Sequence, residues 1–559
     1  MLDDAPKREP KMRADRGDYA KPRSSLPTHP SPPAVVQHSS TKVKHPEYRP
    51  VIKPMPPILP PAAARPFLPP PPSPSLTSKL ATELLGTALL AFVFASAVGP
   101  RHPLALTITL LCVTYAGGHV SGGHFNPAVT LSVLVRGQLS ASVASAYWII
   151  QLIGGVAGGA AAMLSNYHWP EHDEVRIGYP LIANGVGINA ALLAECIGAF
   201  ALCHTFLHVT TSQVQEGNSY YGIAIACVTF AVLVAIGDVS SGALNPAIAM
   251  LSLLRQLHSG LLSQGVAATI TALINGGNAI WVHFVGPSAG GLLAGLVFRK
   301  THPSQVGDGT GCLRSVREAL APYHIEAIGT CLLAFTFACT AGPPPRGDMA
   351  PYAVGCMLAS QIYAGGATSG AHYNPAVTLT VTIRRMLACW ESRLLVPPFV
   401  GIGYVLAQGG GAIGGGYLAS LILPSSLPSL LVRSSSSSSI AEAFTTKAIG
   451  ALILCLVVLQ TATVARMANR EYFGLAIGAT LTITMICIPG GSVGGAAFNP
   501  AIALMGSSID TGSSGTALSV TTAPWYFFGG PAAGALLAAL AFRLVSADSF
   551  QSEPVGSMV

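Results

Sequence analysis

Charged side chains are scarce in this chain. Only 9% of its 559 residues are Asp, Glu, Lys or Arg, against about 25% in a soluble domain. With half the residues hydrophobic and a mean hydropathy of +0.53, an ordinary soluble globule of this size is excluded. No CxxC pair exists among the eleven cysteines, which argues against a metal site and a disulfide scaffold. Cys112, Cys196, Cys203, Cys227, Cys331, Cys339, Cys356, Cys455 and Cys487 fall in apolar runs and read as small packing residues. The 60 glycines follow no triplet period, so the chain is not collagen-like. Their abundance suits transmembrane helices, where glycine is frequent. No apolar core follows the first charges, so the start does not read as a signal peptide. Asn-x-Ser/Thr acceptors are missing, and glycosylation therefore gives no topology clue. Neither a nucleophile–base pair nor a phosphate loop is evident. The expectation is a non-enzyme without cofactor or metal.

What charge there is lies at the start. Residues 1–75 hold 12 Lys/Arg against 6 Asp/Glu, and 20 of the 43 prolines. The rest is nearly neutral, which argues against a nucleic-acid partner. The segment 1–75 cannot bury enough apolar surface to offset its ordering entropy and reads as a disordered, basic, cytoplasmic tail. Its PxxP spacings, Pro54 to Pro57 and Pro69 to Pro72, leave two readings, a ligand for an SH3-type binder or a plain solvated tail.

Apolar runs of bilayer length follow. Twelve spans are expected, near 80–98, 104–115, 144–164, 188–209, 221–236 and 279–298, then 325–341, 352–364, 400–421, 445–465, 473–488 and 524–544. Lys and Arg collect between them at Arg299, Lys300, Arg314, Arg317, Arg384, Arg385, Arg393, Arg466 and Arg470. Six crossings per set put all of these on the side of the tail, which the positive-inside rule makes cytoplasmic, with both termini. Arg101, Arg346 and Arg433 are exceptions.

Self-comparison is the most informative step. Gly-Gly-His-Phe-Asn-Pro-Ala-Val-Thr (122–130) recurs as Gly-Ala-His-Tyr-Asn-Pro-Ala-Val-Thr (370–378). Gly-Ala-Leu-Asn-Pro-Ala-Ile-Ala (242–249) recurs as Ala-Ala-Phe-Asn-Pro-Ala-Ile-Ala (496–503). The four asparagines, Asn126, Asn245, Asn374 and Asn499, are separated by 119, 129 and 125 residues. Glu83, Glu195 and Glu326 each precede a glycine by three positions, and Gln151 and Gln408 each precede a glycine-rich stretch. The chain is thus two halves of two repeats each. Three spans per repeat would make the repeats within a half inverted in the membrane.

Asn-Pro-Ala has a physical meaning. Asparagine is a preferred N-cap, and proline at the first helical position gives up an N–H that is unpaired there anyway. A helix that starts inside the membrane must be a half-helix lining a cavity. Inverted repeats bring two such N-termini together at the midplane, each equivalent to about half a positive charge. Such a pair opposes cations, while the carboxamides can donate to a passing oxygen.

With four such loops, the sequence resembles the aquaporin, or major intrinsic protein, family over residues 76–546. The resemblance implies an all-α membrane protein of two fused aquaporin-like units, each of six transmembrane helices plus two re-entrant half-helices. The expected divisions are 76–300 for the first unit, 301–318 for a cytoplasmic linker, 319–546 for the second unit and 547–559 for a short tail. Pore-lining roles pass by the motif to Asn126, Pro127, Ala128, Asn245, Pro246, Ala247, Asn374, Pro375, Ala376, Asn499, Pro500 and Ala501. Loop-supporting roles pass to Glu83, Glu195 and Glu326, with His124 and His372 as loop-orienting groups or, alternatively, a pH gate. Lys447 stands where a fourth glutamate is expected. The family's arginine after the second Asn-Pro-Ala is replaced by Ile248 and Ile502. Family spacing puts the remaining constriction positions at Leu106, Leu233 and Gly242 in half one, and Val354, Cys487 and Ala496 in half two, giving two apolar rings. Asn245 to Pro287 is 42 residues against 32 for Asn499 to Pro531, which places an extra segment around 255–276.

Three functions compete. A passive channel for water or small neutral solutes (glycerol, urea, ammonia-like) agrees with the four caps. A non-conducting structural or interaction protein of the same fold agrees with the missing arginines. A coupled transporter is disfavoured because few ionisable residues occupy the spans. The expected partners are the lipid bilayer, a small neutral solute and further copies of the chain, with a dimer of tandem units mimicking a tetramer. The membrane of residence, plasma or internal, stays open.

Overall fold

The computed structural model describes residues 73–97, 102–166, 177–263, 280–307, 312–340, 346–392, 399–423, 440–464, 470–487, 498–509 and 525–546. The first 72 residues of the expected tail, the C-terminal tail, Ser434–Ser439 and the constriction position Ala496 lie outside them. Among the described residues there is no strand.

Half one comprises α1 (Leu76–Ser96), α2 (His102–Ser121), α3 (Pro127–Arg136), α4 (Ala141–Asn166), α5 (Ile188–Thr211), α6 (Tyr221–Ser240), α7 (Pro246–Ser263) and α8 (Val282–Thr301). A single turn over Pro303–Val306 leads into half two: α9 (Cys312–Thr340), α10 (Arg346–Ser369), α11 (Pro375–Ser392), α12 (Phe399–Ile422), α13 (Ile440–Ala462), α14 (Phe473–Cys487), α15 (Pro500–Ile509) and α16 (Tyr526–Val545). Every repeat reads span, span, half-helix, span. Each of the twelve expected spans falls on one of these helices, and nine are long and apolar enough to cross a bilayer. The chain is an integral, multi-pass, all-α membrane protein of two tandem units.

Two expectations about length need correction. The second spans are not short, since α2 has 20 residues and α10 has 24. Gly117, Gly118 and His119 lower the hydropathy of the last turns of α2 without ending the helix. The surplus in half one is partly helix, because α7 runs 18 residues where α15 runs 10.

Glycine sets the packing. Without a hydrophobic force between helices in lipid, close approach of small residues must hold them together. A Cβ at Gly154 would lie 2.9 Å from Leu84 O, and one at Gly158 would collide with Ala88 O, so α4 crosses α1 backbone to backbone. The same contact joins α8 to α5 through Gly286 and Gly290, α12 to α9 through Gly411 and Gly415, and α16 to α13 through Gly530 and Gly534. Doubling the glycine gives α4 and α8 a second close face. Gly155 abuts Ala247 O of α7, and Gly291 abuts Ala128 O of α3. Each third span therefore clamps the half-helix of the opposite repeat.

The halves meet along α5 and α6 of half one and α9 and α10 of half two. Tyr220 stacks on Tyr363 at 4.4 Å. Gln361 Nε2 donates to Thr205 Oγ1 at 3.2 Å, and Gln215 Nε2 to the Ala364 carbonyl at 3.1 Å. Phe230 and Val234 of α6 pack on Ala353. The counterparts of these helices, α1 and α2 on one side and α13 and α14 on the other, turn apolar side chains outward, including Leu85, Ile108, Ile449 and Ile483.

Gly290→Val puts branched carbon against the Cys196 carbonyl. Overpacking alone costs about 1–3 kcal/mol, and a fixed carbonyl gives way less than a side chain. A clear drop in melting temperature and in monodisperse yield is expected. Gly410→Ala, facing open space, should leave both unchanged. Equal behaviour of the two variants would contradict the glycine contact.

Candidate pore sites

In half one, Asn126 Oδ1 accepts from Ala128 N at 2.8 Å and so caps α3. Asn245 Oδ1 accepts from Ala247 N at 2.9 Å and caps α7. Their amide nitrogens cross over. Asn126 Nδ2 donates to Leu244 O and Asn245 Nδ2 to Phe125 O, both at 2.9 Å. Each loop thus satisfies the carbonyl just before the other's asparagine. A carboxamide has two N–H donors, so one on each asparagine is left for the cavity that both residues line. Half two repeats the pattern. Asn374 and Asn499 cap α11 and α15 through Ala376 N (2.8 Å) and Ala501 N (3.0 Å). Asn499 Nδ2 donates to Tyr373 O at 2.8 Å, and Asn374 Nδ2 to Phe498 O at a longer 3.5 Å.

The residue before each asparagine carries strain. Phe125, Leu244 and Tyr373 have φ of 48°, 53° and 49°, the left-handed region that side chains avoid. Buried carboxylates hold them there. Glu83 accepts from Phe125 N at 2.6 Å and His124 N at 3.0 Å, and also from Ser121 Oγ and Gln151 Nε2. Glu195 accepts from Leu244 N at 2.7 Å, Ala243 N at 2.9 Å and Ser240 Oγ. Glu326 accepts from Tyr373 N at 2.7 Å, His372 N at 2.9 Å, Ser369 Oγ and Gln408 Nε2. The landmark glutamines therefore work with the glutamates. The side chains of Phe125, Leu244, Tyr373 and Phe498 fill the space left by Gly86, Gly198, Gly329 and Gly450.

Lys447 occupies the glutamate's place in the fourth repeat. Gly530 faces its Cβ at 2.7 Å, as Gly286 faces Glu195 Cβ at 2.8 Å. Its ammonium lies 4.9 Å from the Phe527 ring centre and 5.8 Å from that of Phe498, within cation–π range. The loop it replaces a carboxylate under, 488–497, is outside the described residues.

His124 and His372 sit in the loops, their Nδ1 atoms 3.1 Å from Thr130 Oγ1 and 3.2 Å from Thr378 Oγ1. Each lines its own half's cavity. The cavity of half one is about 40 Å³ and gathers Leu106, Gly242 and Ile248 of the expected ring. Leu233 packs behind Gly242, whose Cβ would meet it at 2.9 Å. The cavity of half two is about 410 Å³ and gathers Val354 and Ile502.

The structure does not bring Cys487 into that second ring. Cys487 is exposed, and α14 lines the cavity with Ile477, Leu481 and Met485. Gly222 and Gly474 each seat a tyrosine ring of the second span, Tyr115 at 2.7 Å and Tyr363 at 2.8 Å, and so fix equivalent positions in α6 and α14. Counting from these glycines aligns Leu233 with Met485. The segment between them and the asparagine is two residues longer in half two, so spacing from the motif overshoots. Sequence reasoning also left unassigned the wall residues Arg384, Arg385 and Arg470.

Arginines brace the inner ends of α3 and α11. Arg136 Nε and Nη2 donate to Thr211 Oγ1 and O at 3.0 and 2.9 Å, over the Phe298 ring. Arg384 Nη2 donates to Thr463 O at 2.8 Å, over the Phe542 ring.

The major intrinsic protein family matches the chain twice, over residues 72–298 and 315–542. The chain belongs to this family. It is a family of membrane channels rather than enzymes. The chain is similar, at 30% identity over 221 residues, to "Probable aquaporin TIP2-2" of Oryza sativa subsp. japonica, covering 39% of this chain and 76% of that one. It is 28% identical over 234 residues to "Glycerol uptake facilitator protein-like 6" of Lactiplantibacillus plantarum, covering 40% and 96%. A solved aquaglyceroporin from Plasmodium falciparum is similar at 19% identity with a TM-score of 0.33, covering 42% of this chain and 99% of that one.

Glu326→Ala deletes the acceptor of two strained backbone amides and two side chains. A buried donor left unpaired costs about 1–3 kcal/mol. Loss of folded, monodisperse protein is expected on size exclusion, with Glu326→Gln intermediate. An unchanged elution profile and melting temperature for the alanine variant would refute the anchoring role.

Proposed function

We propose that the chain is a passive channel with one pore in each half, half one for water and half two for larger neutral solutes such as glycerol or urea. The observation that carries this reading is the crossed pair of carboxamides on the wall of each cavity. A solute oxygen at that level can take two N–H donors while the half-helix N-termini repel cations. The tenfold difference in cavity volume, about 40 against 410 Å³, separates the halves by solute size.

The rings follow from the same residues. Leu106, Gly242 and Ile248 supply no side-chain donor in half one, and Val354, Met485 and Ile502 none of hydrogen-bonding strength in half two. Selection then rests on width and on the cost of shedding water, rather than on a fixed cation. In this reading both termini are cytoplasmic, His124 and His372 orient the loops, and residues 76–300 and 319–546 are the two conducting units. Two copies of the chain assemble by repeating the contact made within it, α13 and α14 of one copy meeting α1 and α2 of the other. That dimer closes a ring of four units and covers the apolar faces of those helices.

Stopped-flow light scattering on proteoliposomes of the full chain tests the assignment. Water and glycerol permeability well above empty vesicles are expected. Ile502→Trp should remove most glycerol flux, and Ile248→Trp should lower water flux while sparing glycerol. Flux at the level of empty vesicles, with inserted and folded protein, would favour the non-conducting alternative.

Mercurial block separates the two candidate cysteine positions. Met485→Cys is expected to create a block of glycerol flux, and Cys487→Ser to leave any existing sensitivity unchanged. The reverse pattern would restore Cys487 to the ring.

A further inference from the structure

The second cavity differs from the first in charge as well as in size. Among the described residues, its wall includes Arg384, Arg385 and Arg470 and no carboxylate, while the wall of the first cavity carries no Asp, Glu, Lys or Arg at all. Two of the three arginines have no counterpart in half one. Arg385 stands where half one has Gly137, and Arg470 where it has Asn218, counting from the paired asparagines Asn126 and Asn374 and from Gly222 and Gly474.

The glycine-to-arginine change also reshapes the wall. Gly137 adopts φ 92° and ends α3 after 10 residues, as a left-handed C-terminal glycine does. With arginine there, α11 runs on for 18 residues. Asn374, Val377, Val381, Arg384 and Arg385 share one face of that helix and all line the cavity. At 1.5 Å per residue the arginines lie about 15 Å from the carboxamide pair. The space between is walled by Leu333, Phe337, Leu358, Ile362, Leu454 and Val458, among others. The only acid close to this mouth in sequence, Glu471, turns away and accepts from Ser219 N of half one at 2.8 Å.

We infer that the second cavity binds a small organic monocarboxylate, its carboxylate at Arg385 and Arg470 and its short hydrocarbon body along the apolar wall. The arginines supply the charge that draws and holds an anion. The apolar wall favours a hydrocarbon tail over a bare inorganic ion, which loses hydration there without compensation. A single negative charge fits better than two, because each further charge adds a desolvation cost. This rests on the reading of half two as a solute pathway, and it adds the class of ligand taken at its mouth.

Thermal-shift titration of the full-length, detergent-purified chain tests the site independently of conduction. The probes are butyrate, its neutral isostere butyramide, and chloride, at neutral pH and constant ionic strength. Butyrate should raise the melting temperature in a saturable way, with butyramide and chloride inactive at the same concentration. Arg385→Gln with Arg470→Asn should weaken the butyrate midpoint at least tenfold. Glutamine keeps α11 helical, and Arg470→Asn alone, weakening the midpoint by a smaller factor, serves if the double variant does not fold. No saturable shift with butyrate overturns the inference, as does an equal shift with chloride or butyramide, or a midpoint untouched by the substitutions. Water and glycerol flux from the light-scattering assay judge the pore reading separately, so loss of one leaves the other standing or falling on its own result.

Discussion

Everything at the centre of each half depends on satisfying backbone amides where no water is available. A re-entrant loop brings unpaired N–H and C=O groups to the middle of the membrane, where each costs several kcal/mol if left alone. Three buried glutamates take up the N–H side, each accepting from two consecutive loop amides. The asparagine of the opposite loop takes up the C=O side. Neither loop is complete without the other repeat, which makes the pair of inverted repeats the smallest unit that can fold. A buried carboxylate is itself costly, but here it is surrounded by donors fixed in place by the fold, including Ser121, Gln151, Ser369 and Gln408.

Helix packing serves the same end. The loops fit only if the third span of each repeat comes within backbone distance of its neighbours. The doubled glycines of α4 and α8 permit that on two faces at once, one toward the first span of the same repeat and one toward the half-helix of the other. The same small residues that lower hydropathy and blur span boundaries in the sequence are therefore the ones that bring Asn126 and Asn245 together.

The repeat architecture, the caps, the glutamates and most of the ring were legible because each depends on short-range pattern. Asn-Pro-Ala caps a helix by chemistry confined to three residues, and four copies at similar spacing reveal the symmetry. Position Cys487 failed because it was placed by counting through a loop. Loop length drifts without cost where the chain is not packed, whereas Gly222 and Gly474 are pinned by the tyrosines they seat. The full lengths of α2 and α10 were hidden by polar and small residues in their last turns, which a helix buried against protein tolerates. The arginine-lined mouth of half two was missed because Arg384, Arg385 and Arg470 lie far apart in sequence and read simply as positive-inside loop charges. Only the running-on of α11 past the place where Gly137 stops α3 brings them to one cavity.

The two halves preserve one framework and differ at its edges. The capping asparagines, the glycine seats and the arginine brace of each inner half-helix, Arg136 to Thr211 and Arg384 to Thr463, are repeated. The changes are Glu to Lys at 447, Gly to Arg at 385 and Asn to Arg at 470. All three move the charge of half two in the same direction, toward positive, while its cavity widens. A framework decaying at random would alter the caps and seats as readily as the rim, and it would not add charge of one sign. The substitutions in half two thus accord with a pathway whose solute differs from that of half one. The fourth loop is where this is most exposed, since Lys447 and the two additional residues before Asn499 change its anchor and its length together. A cation beneath that loop leaves its amides to other acceptors, and it brings the positive field closer to the level of the paired carboxamides than the mouth arginines can.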